Sequence, residues 1–151
     1  MKICSCAVIG QHPTRFKFKY NEYMTSCKRI KKRMHDVFVS LYQRGVRCFF
    51  IGGALGVDMW AGEILLNMQR QTEYQELQVI MVCPFPGHDV RWDPKSQARQ
   101  RKLCEGCTKV LTSRAEKNIS KAYMDRGFPL INLRRLTGKR AGKSRKQKAF
   151  R

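Results

Sequence analysis

Apolar positions along the chain alternate between two rhythms. Ile3-Cys4-Ser5-Cys6-Ala7-Val8-Ile9, Val46-Arg47-Cys48-Phe49-Phe50-Ile51 and Leu77-Gln78-Val79-Ile80-Met81-Val82-Cys83 are short, dense runs that close on Gly10, Gly52 and Pro84. Apolar runs of that length bounded by turn residues predict buried strands. Between them the spacing changes. Cys27, Ile30, Met34, Val37, Phe38 and Leu41 recur in steps of three and four, which places them on one face of a helix, and Gly45 predicts its stop. Ala61, Ile64, Leu65 and Met68 repeat the pattern in a second helix. Asp93-Pro94 predicts a third helix start, because Asp accepts an unpaired backbone N–H and Pro has none to leave unpaired. That helix runs to Gly106. Lys109 to Ser113 then predicts a fourth strand, Ile119, Ala122 and Tyr123 a helix ending near Gly127, and Pro129 to Leu133 a fifth strand.

Strand–helix alternation of this kind predicts an α/β fold: a Rossmann-like open parallel sheet of about five strands with helices on both faces. Right-handed crossovers bring the carboxyl ends of such strands to one edge, where ligands bind. The loops expected there are 10–16, 52–58, 84–92 and 112–114. They hold glycine, proline, histidine and arginine.

Composition sharpens the boundaries. The 151 residues suit one domain, and 31 Lys+Arg against 11 Asp+Glu give a net charge of +20, which favours anionic partners. Residues 134–151 carry nine Lys/Arg, no acid and only Leu136 and Phe150 as large apolar groups. So few apolar groups cannot offset the entropy of ordering, so the expected division is a domain over 1–133 and a disordered basic tail over 134–151; a solvated tail of no fixed role is the plainer reading, and non-specific nucleic-acid contact is its candidate role. Seven scattered cysteines do not form a secreted disulfide framework. No apolar run approaches the roughly 18–20 residues that span a bilayer, and the first ten residues are too short for a signal-peptide core. A soluble, cytoplasmic, reduced protein without membrane contact is expected, with homo-oligomerisation left open. Cys104-Glu105-Gly106-Cys107 has the gap of a zinc half-site, but Cys4 and Cys6 sit inside a strand and the pair ends a helix, so buried thiols and no metal are expected.

Candidate chemistry concentrates in three loops. Gly52-Gly53-Ala54-Leu55-Gly56 joins a strand to a helix, where glycine permits positive φ or close approach of a ligand and the helix start offers unpaired N–H groups to phosphate. It is neither G-x-G-x-x-G nor a Walker loop, and a tight turn needed only for packing fits equally well. Asp58 is expected to cap the following helix rather than act as an acid, and Glu63 one turn on faces either the ligand edge or solvent. In the loop from Gly10 to Phe16, Arg15 can grip a phosphate while Gln11 or His12 can hydrogen-bond a sugar or base. Phe85 and Trp92 offer stacking faces to a base or plug the core. The basic start of the first long helix, with Lys28, Lys31 and Lys32, need not line the ligand edge.

The runs V-I-G-Q-H-P-T-R-F (8–16), F-F-I-G-G-A-L-G-V-D-M-W-A-G-E (49–63) and P-F-P-G-H-D-V-R-W (84–92) resemble, in this order, the SLOG superfamily (the SMF/DprA–LOG Rossmann-like group), and within it the small bacterial stand-alone YpsA-like branch. The similarity covers about residues 2–112. It implies a Rossmann-like fold and a site for a nucleotide or nucleotide-derived ligand, formed by the first-strand loop and the G-G-A-x-G-x-D segment. On this chain those positions are Gly10, Arg15, Gly52, Gly53, Gly56 and Asp58, with Glu63 and Trp92 beside them. The branch's second glycine motif ending in Gly-Thr is missing, as though a unit before Ile119–Asn132 had been deleted or the frame had changed near residue 113. The P-G-G-x-G-T-x-x-E motif of the phosphoribohydrolase members is absent too, so that activity is not implied.

Three functions remain in view. The first is binding of an ADP-ribose- or NAD-like ligand at the carboxyl edge, as a sensor or regulator. The second is single-stranded nucleic-acid binding like that of DprA relatives. The third is hydrolysis of an N-glycosidic bond with Glu63 or Asp58 as acid or nucleophile, for which no second carboxylate is evident.

Overall fold

The computed structural model describes residues 5–112 and the strand at 130–132. Strands β1 (Ser5–Ile9), β2 (Cys48–Gly52), β3 (Gln78–Cys83), β4 (Lys109–Thr112) and the three-residue β5 (Leu130–Asn132) form one sheet. All neighbouring pairs are parallel and the order is β4-β3-β2-β1-β5. The chain steps from β1 outward to β4, and β5 lies on the other side of β1. The order therefore reverses at β1, which makes its loop the topological switch point.

Side-chain parity explains the dense apolar runs. Cys6, Phe49 and Val79 form one row across the sheet, and Val8, Ile51 and Met81 a second, all on the face that carries the main core. Ala7, Phe50 and Val82 point to the other face and are buried as well. Strands buried on both faces have no polar positions to alternate with, hence their continuous apolar reading.

Helices α1 (Thr25–Gln43), α2 (Val57–Gln69) and α3 (Pro94–Gly106) connect successive strands. α1 contributes Cys27, Ile30, Met34, Phe38 and Tyr42 to the main core, α2 contributes Trp60, Leu65 and Met68, and α3 contributes Leu103. Each large side chain buried this way stabilises the fold by roughly 1.5–3 kcal/mol. All three helices lie on one sheet face, because three right-handed crossovers taken in the same direction stack on the same side. The expected covering of both faces rests on the helix read before Gly127. That helix lies outside the described residues, as do the tail 134–151 and the first two residues of the opening strand, Ile3 and Cys4.

Local chemistry sets the helix ends. α1 stops in a Schellman motif: Gly45 takes φ +101°, its N–H donates to Tyr42 O, and Val46 N–H donates to Leu41 O. At α3 the Asp93 carboxylate accepts from Ser96 N–H at 3.1 Å, with Pro94 as the first helical residue. Between β1 and α1 the chain makes a 3-10 turn at Pro13–Arg15 and folds over α2. Phe16 and Phe18 stack with centroids 5.0 Å apart, and both rings lie against Trp60.

Candidate functional site

Gly10, Gln11, Gly56 and Asp58 meet where the β1 loop presses on the start of α2. A Cβ at Gly10 would overlap Val57 at 2.0 Å. Gly56, the N-cap of α2, has φ +88°, and a Cβ there would lie 2.6 Å from Gln11 O and 2.8 Å from Pro13. Only glycine fits either position. Gln11 O accepts the Val57 N–H at 3.2 Å, which satisfies one of the donors at the helix start. Asp58 is expected to be the cap, but that place belongs to Gly56. Asp58 sits two residues further in, and its buried carboxylate accepts from the Ala54 N–H, tying the glycine loop to the helix. Burial pushes this carboxyl up to about 7, opposed by the Ala54 bond.

Gly52 ends β2 in the sheet, paired with Val82. Gly53 keeps a negative φ, and its close neighbour is His88, whose Nε2 would lie 2.8 Å from a Cβ. His88 Nε2–H donates to Gly53 O at 2.7 Å, since a carbonyl can only accept. Trp92 meets the His88 ring edge-on at 5.5 Å. Gln97 of α3 donates to Asp89 O and Val90 O, fastening this third loop to the helix. His12 is exposed, and its Nδ1 accepts from Thr14 N–H within the 3-10 turn. Arg15 is exposed in the same turn.

The larger opening lies beside these loops, where the N-terminal halves of α2 and α3 meet the β1–α1 loop. It is a cavity of about 670 Å³. Gly56 and Glu63 are the expected site residues that line it. Besides the carboxylates Glu22 and Asp93 and the apolar Pro13, Leu55 and Met59, two chemical kinds stand out in the lining. Lys19, Lys28, Lys31, Lys95 and Arg99 supply positive charge. Tyr20, Tyr23 and Trp60 supply aromatic surface, with Trp60 only 2% exposed and Tyr23 83% exposed. Lys28 and Lys31 line this cavity too, because the long β1–α1 loop turns the first helical turns back toward α2.

Arg99 organises the cavity wall. It donates from Nη1 to Glu22 Oε2 at 2.6 Å and from Nη2 to Glu22 Oε1 at 3.0 Å, and Nη2 also donates to Glu63 Oε1. Lys31 donates to Glu22 at 2.6 Å, with its Nζ 5.6 Å from the Trp60 ring centroid. Burial would raise the Glu22 carboxyl, but the bonds from Arg99 and Lys31 overcome it and hold the group at about 2. Glu22 and Arg99 are 77 positions apart, so no local spacing in the sequence exposes the pair.

Among the described residues the cysteines form no disulfide. Cys6, Cys27 and Cys83 are buried, and Cys104 and Cys107 are free as well. Burial pushes Cys107 up to about 12, which leaves it protonated at neutral pH. Among the described residues no helix is long and apolar enough to cross a membrane.

The β1 loop, the G-G-A-L-G turn onto α2 and the His88 loop behind it bring the three motifs together in space. A family model described as the YspA SLOG family matches residues 6–124. The chain belongs to the YpsA-like SLOG family. The match runs past Thr112, further than the three motifs alone extend. Among similar proteins are UPF0398 proteins of Streptococcus mutans, 38% identical over 74 residues, of Bacillus licheniformis, 31% over 68, and of Bacillus cereus, 30% over 86. Those stretches are 49%, 45% and 57% of this chain and 39%, 36% and 45% of the relatives. The chain therefore spans less than half the length of the SLOG relatives it matches, and their names state no ligand or activity.

Proposed function

We propose that the chain binds a nucleotide or nucleotide-derived ligand in the 670 Å³ cavity at the carboxyl edge of the sheet, as a sensor or regulator. The observation that carries this reading is the pairing of cationic and aromatic surface in one concave site. Lys19, Lys28 and Lys95 can receive phosphate oxygens, and Tyr20 or Tyr23 can stack on a base. The volume falls within the roughly 300–1,000 Å³ typical of small-molecule sites. The starts of α2 and α3 add positive dipole ends beside it.

Binding without hydrolysis is favoured by the state of the carboxylates. An N-glycosidic hydrolase needs a protonated acid near its leaving group. Glu63, the candidate acid that lines the cavity, is ion-paired with the Arg99 guanidinium, Glu22, held at about 2, is ionised at neutral pH, and Asp58 is tied beneath the glycine loop outside the cavity wall. Calorimetric titration with AMP, ADP-ribose, NAD and other nucleoside phosphates tests the reading. At least one should bind at micromolar affinity, weakened by roughly tenfold or more in Lys28→Glu. Affinities no better than millimolar across the series would sink it.

A further inference from the structure

The carbonyl of Gly53 and the N–H of Ala54 belong to one peptide group, and side chains from two different elements hold its opposite ends. His88, in the loop between β3 and α3, donates to the oxygen at 2.7 Å, and the Asp58 carboxylate of α2 accepts from the N–H. A trans peptide group is planar, so a bond at each end fixes the tilt of the whole unit. The next two residues, Leu55 and Gly56, line the cavity, whereas His88 and Asp58 do not.

Gly53 is the joint at which this unit turns. Its φ is negative, so the backbone conformation does not demand glycine. His88 does, because a Cβ would lie 2.8 Å from its Nε2 and 3.1 Å from its Cε1. The imidazole is held in that place. It meets Phe85 edge-on at 6.2 Å and Trp92 at 5.5 Å, and Gln97 of α3 donates to the carbonyls of Asp89 and Val90 beside it. A glycine rotates at little steric cost once the bond on its carbonyl is gone.

We infer that His88 is a positioning residue for the ligand site, acting through the Gly53–Ala54 peptide on the cavity wall at Leu55 and Gly56 without touching the ligand. The inference rests on the nucleotide reading above for the identity of the ligand alone. Gly53 is buried, and a buried carbonyl that loses its donor turns toward another. That turn takes the Ala54 N–H off Asp58 and moves the wall.

The test compares three full-length chains. His88→Leu keeps apolar bulk between Phe85 and Trp92 without a donor, and His88→Gln places a side-chain N–H where Nε2–H stands. Hydrogen exchange at the Ala54 amide is read against the amides of β2, which divides out any general loss of stability. Calorimetry with AMP and ADP-ribose gives the affinities. In His88→Leu, Ala54 should exchange about tenfold faster relative to β2, and a probe that binds wild type should bind about tenfold more weakly. His88→Gln should bring both to within about threefold of wild type. Unchanged exchange in His88→Leu, faster exchange with unchanged affinity, or equal losses in the two variants would overturn the positioning role. Imidazole nitrogen shifts of wild type at pH 8 test it without a variant: Nε2 should carry the proton, and a bare Nε2 would overturn the bond to Gly53. Probes that fail to bind wild type overturn the nucleotide reading, and the Ala54 exchange still decides whether His88 holds the peptide.

Discussion

Asp58 shows how one buried group couples the glycine loop to pH. Its carboxyl is 8% exposed, burial raises it to about 7, and the single bond favouring the ionised form comes from Ala54 N–H. A raised acid binds its proton more tightly in the folded protein than in the unfolded one. Stability from this group is therefore full below the ordinary carboxyl value of about 4 and declines as pH rises through 7. Asp58→Asn keeps an acceptor for Ala54 and removes the titration. Urea midpoints at pH 5 and pH 8 should fall between those pH values in wild type and fall less in Asp58→Asn; the same difference in both proteins would refute this account. At this scale the sequence exposes the glycines but not their neighbours. Gly53 faces His88, 35 positions away, and Gly56 faces Gln11 and Pro13 across a strand boundary, contacts that carry no local signature.

Between elements, the β1–α1 loop is held by both apolar and ionic contacts. Phe16 and Phe18 seat it on Trp60, and Glu22 clamps it to Arg99 of α3 and Lys31 of α1. The depressed Glu22 carboxyl contributes stability that is present above about 4.5 and lost as pH falls toward 2. The pair is about a quarter exposed, so solvent screening reduces its worth to the order of 1–2 kcal/mol. Glu22→Gln should lower the stability at pH 7 by that amount, and the gap to wild type should close between pH 4.5 and 2.5. Thermal melts across that range measure it, and a gap that stays constant with pH would assign the loss to packing instead. Helix ends, by contrast, are legible residue by residue. Asp93-Pro94 starts α3 and Gly45 stops α1 because capping is decided by residues within one turn.

Across the whole molecule the charge of +20 will hold any polyanion at low salt, so the location of that binding matters more than its existence. Each phosphate neutralised on a single strand adds about −0.7 to the slope of log K against log salt. Deleting residues 134–151, with their nine cations, should remove most of that slope and leave millimolar residual affinity for single strands. Titrations at three salt concentrations on the full and shortened chains decide it. Tight binding that survives the deletion and is lost on charge reversal at Arg29 and Lys32, exposed on α1 away from the cavity wall, would make nucleic acid the domain's partner.

The amino-acid sequence by itself determined the strands and helices, their order and the glycine turn onto α2. Those depend on periodicity and on capping, which act over a few residues. It also placed the chain in its family, because the three motifs keep their order along the chain. Tertiary structure alone decided that three helices share one face, since direction of travel across a sheet is not written in any segment. It likewise decided the cavity, whose wall draws on residues from Pro13 to Arg99. Lys28 and Lys31 read as an outward basic face until the β1–α1 loop folds over Trp60 and makes them part of the cavity wall. Arg99 reads as one cation in a weakly amphipathic helix until Glu22 and Glu63 converge on it from two other elements. Contacts between distant segments form only when the core brings their backbones together, and spacing along the chain holds no record of them.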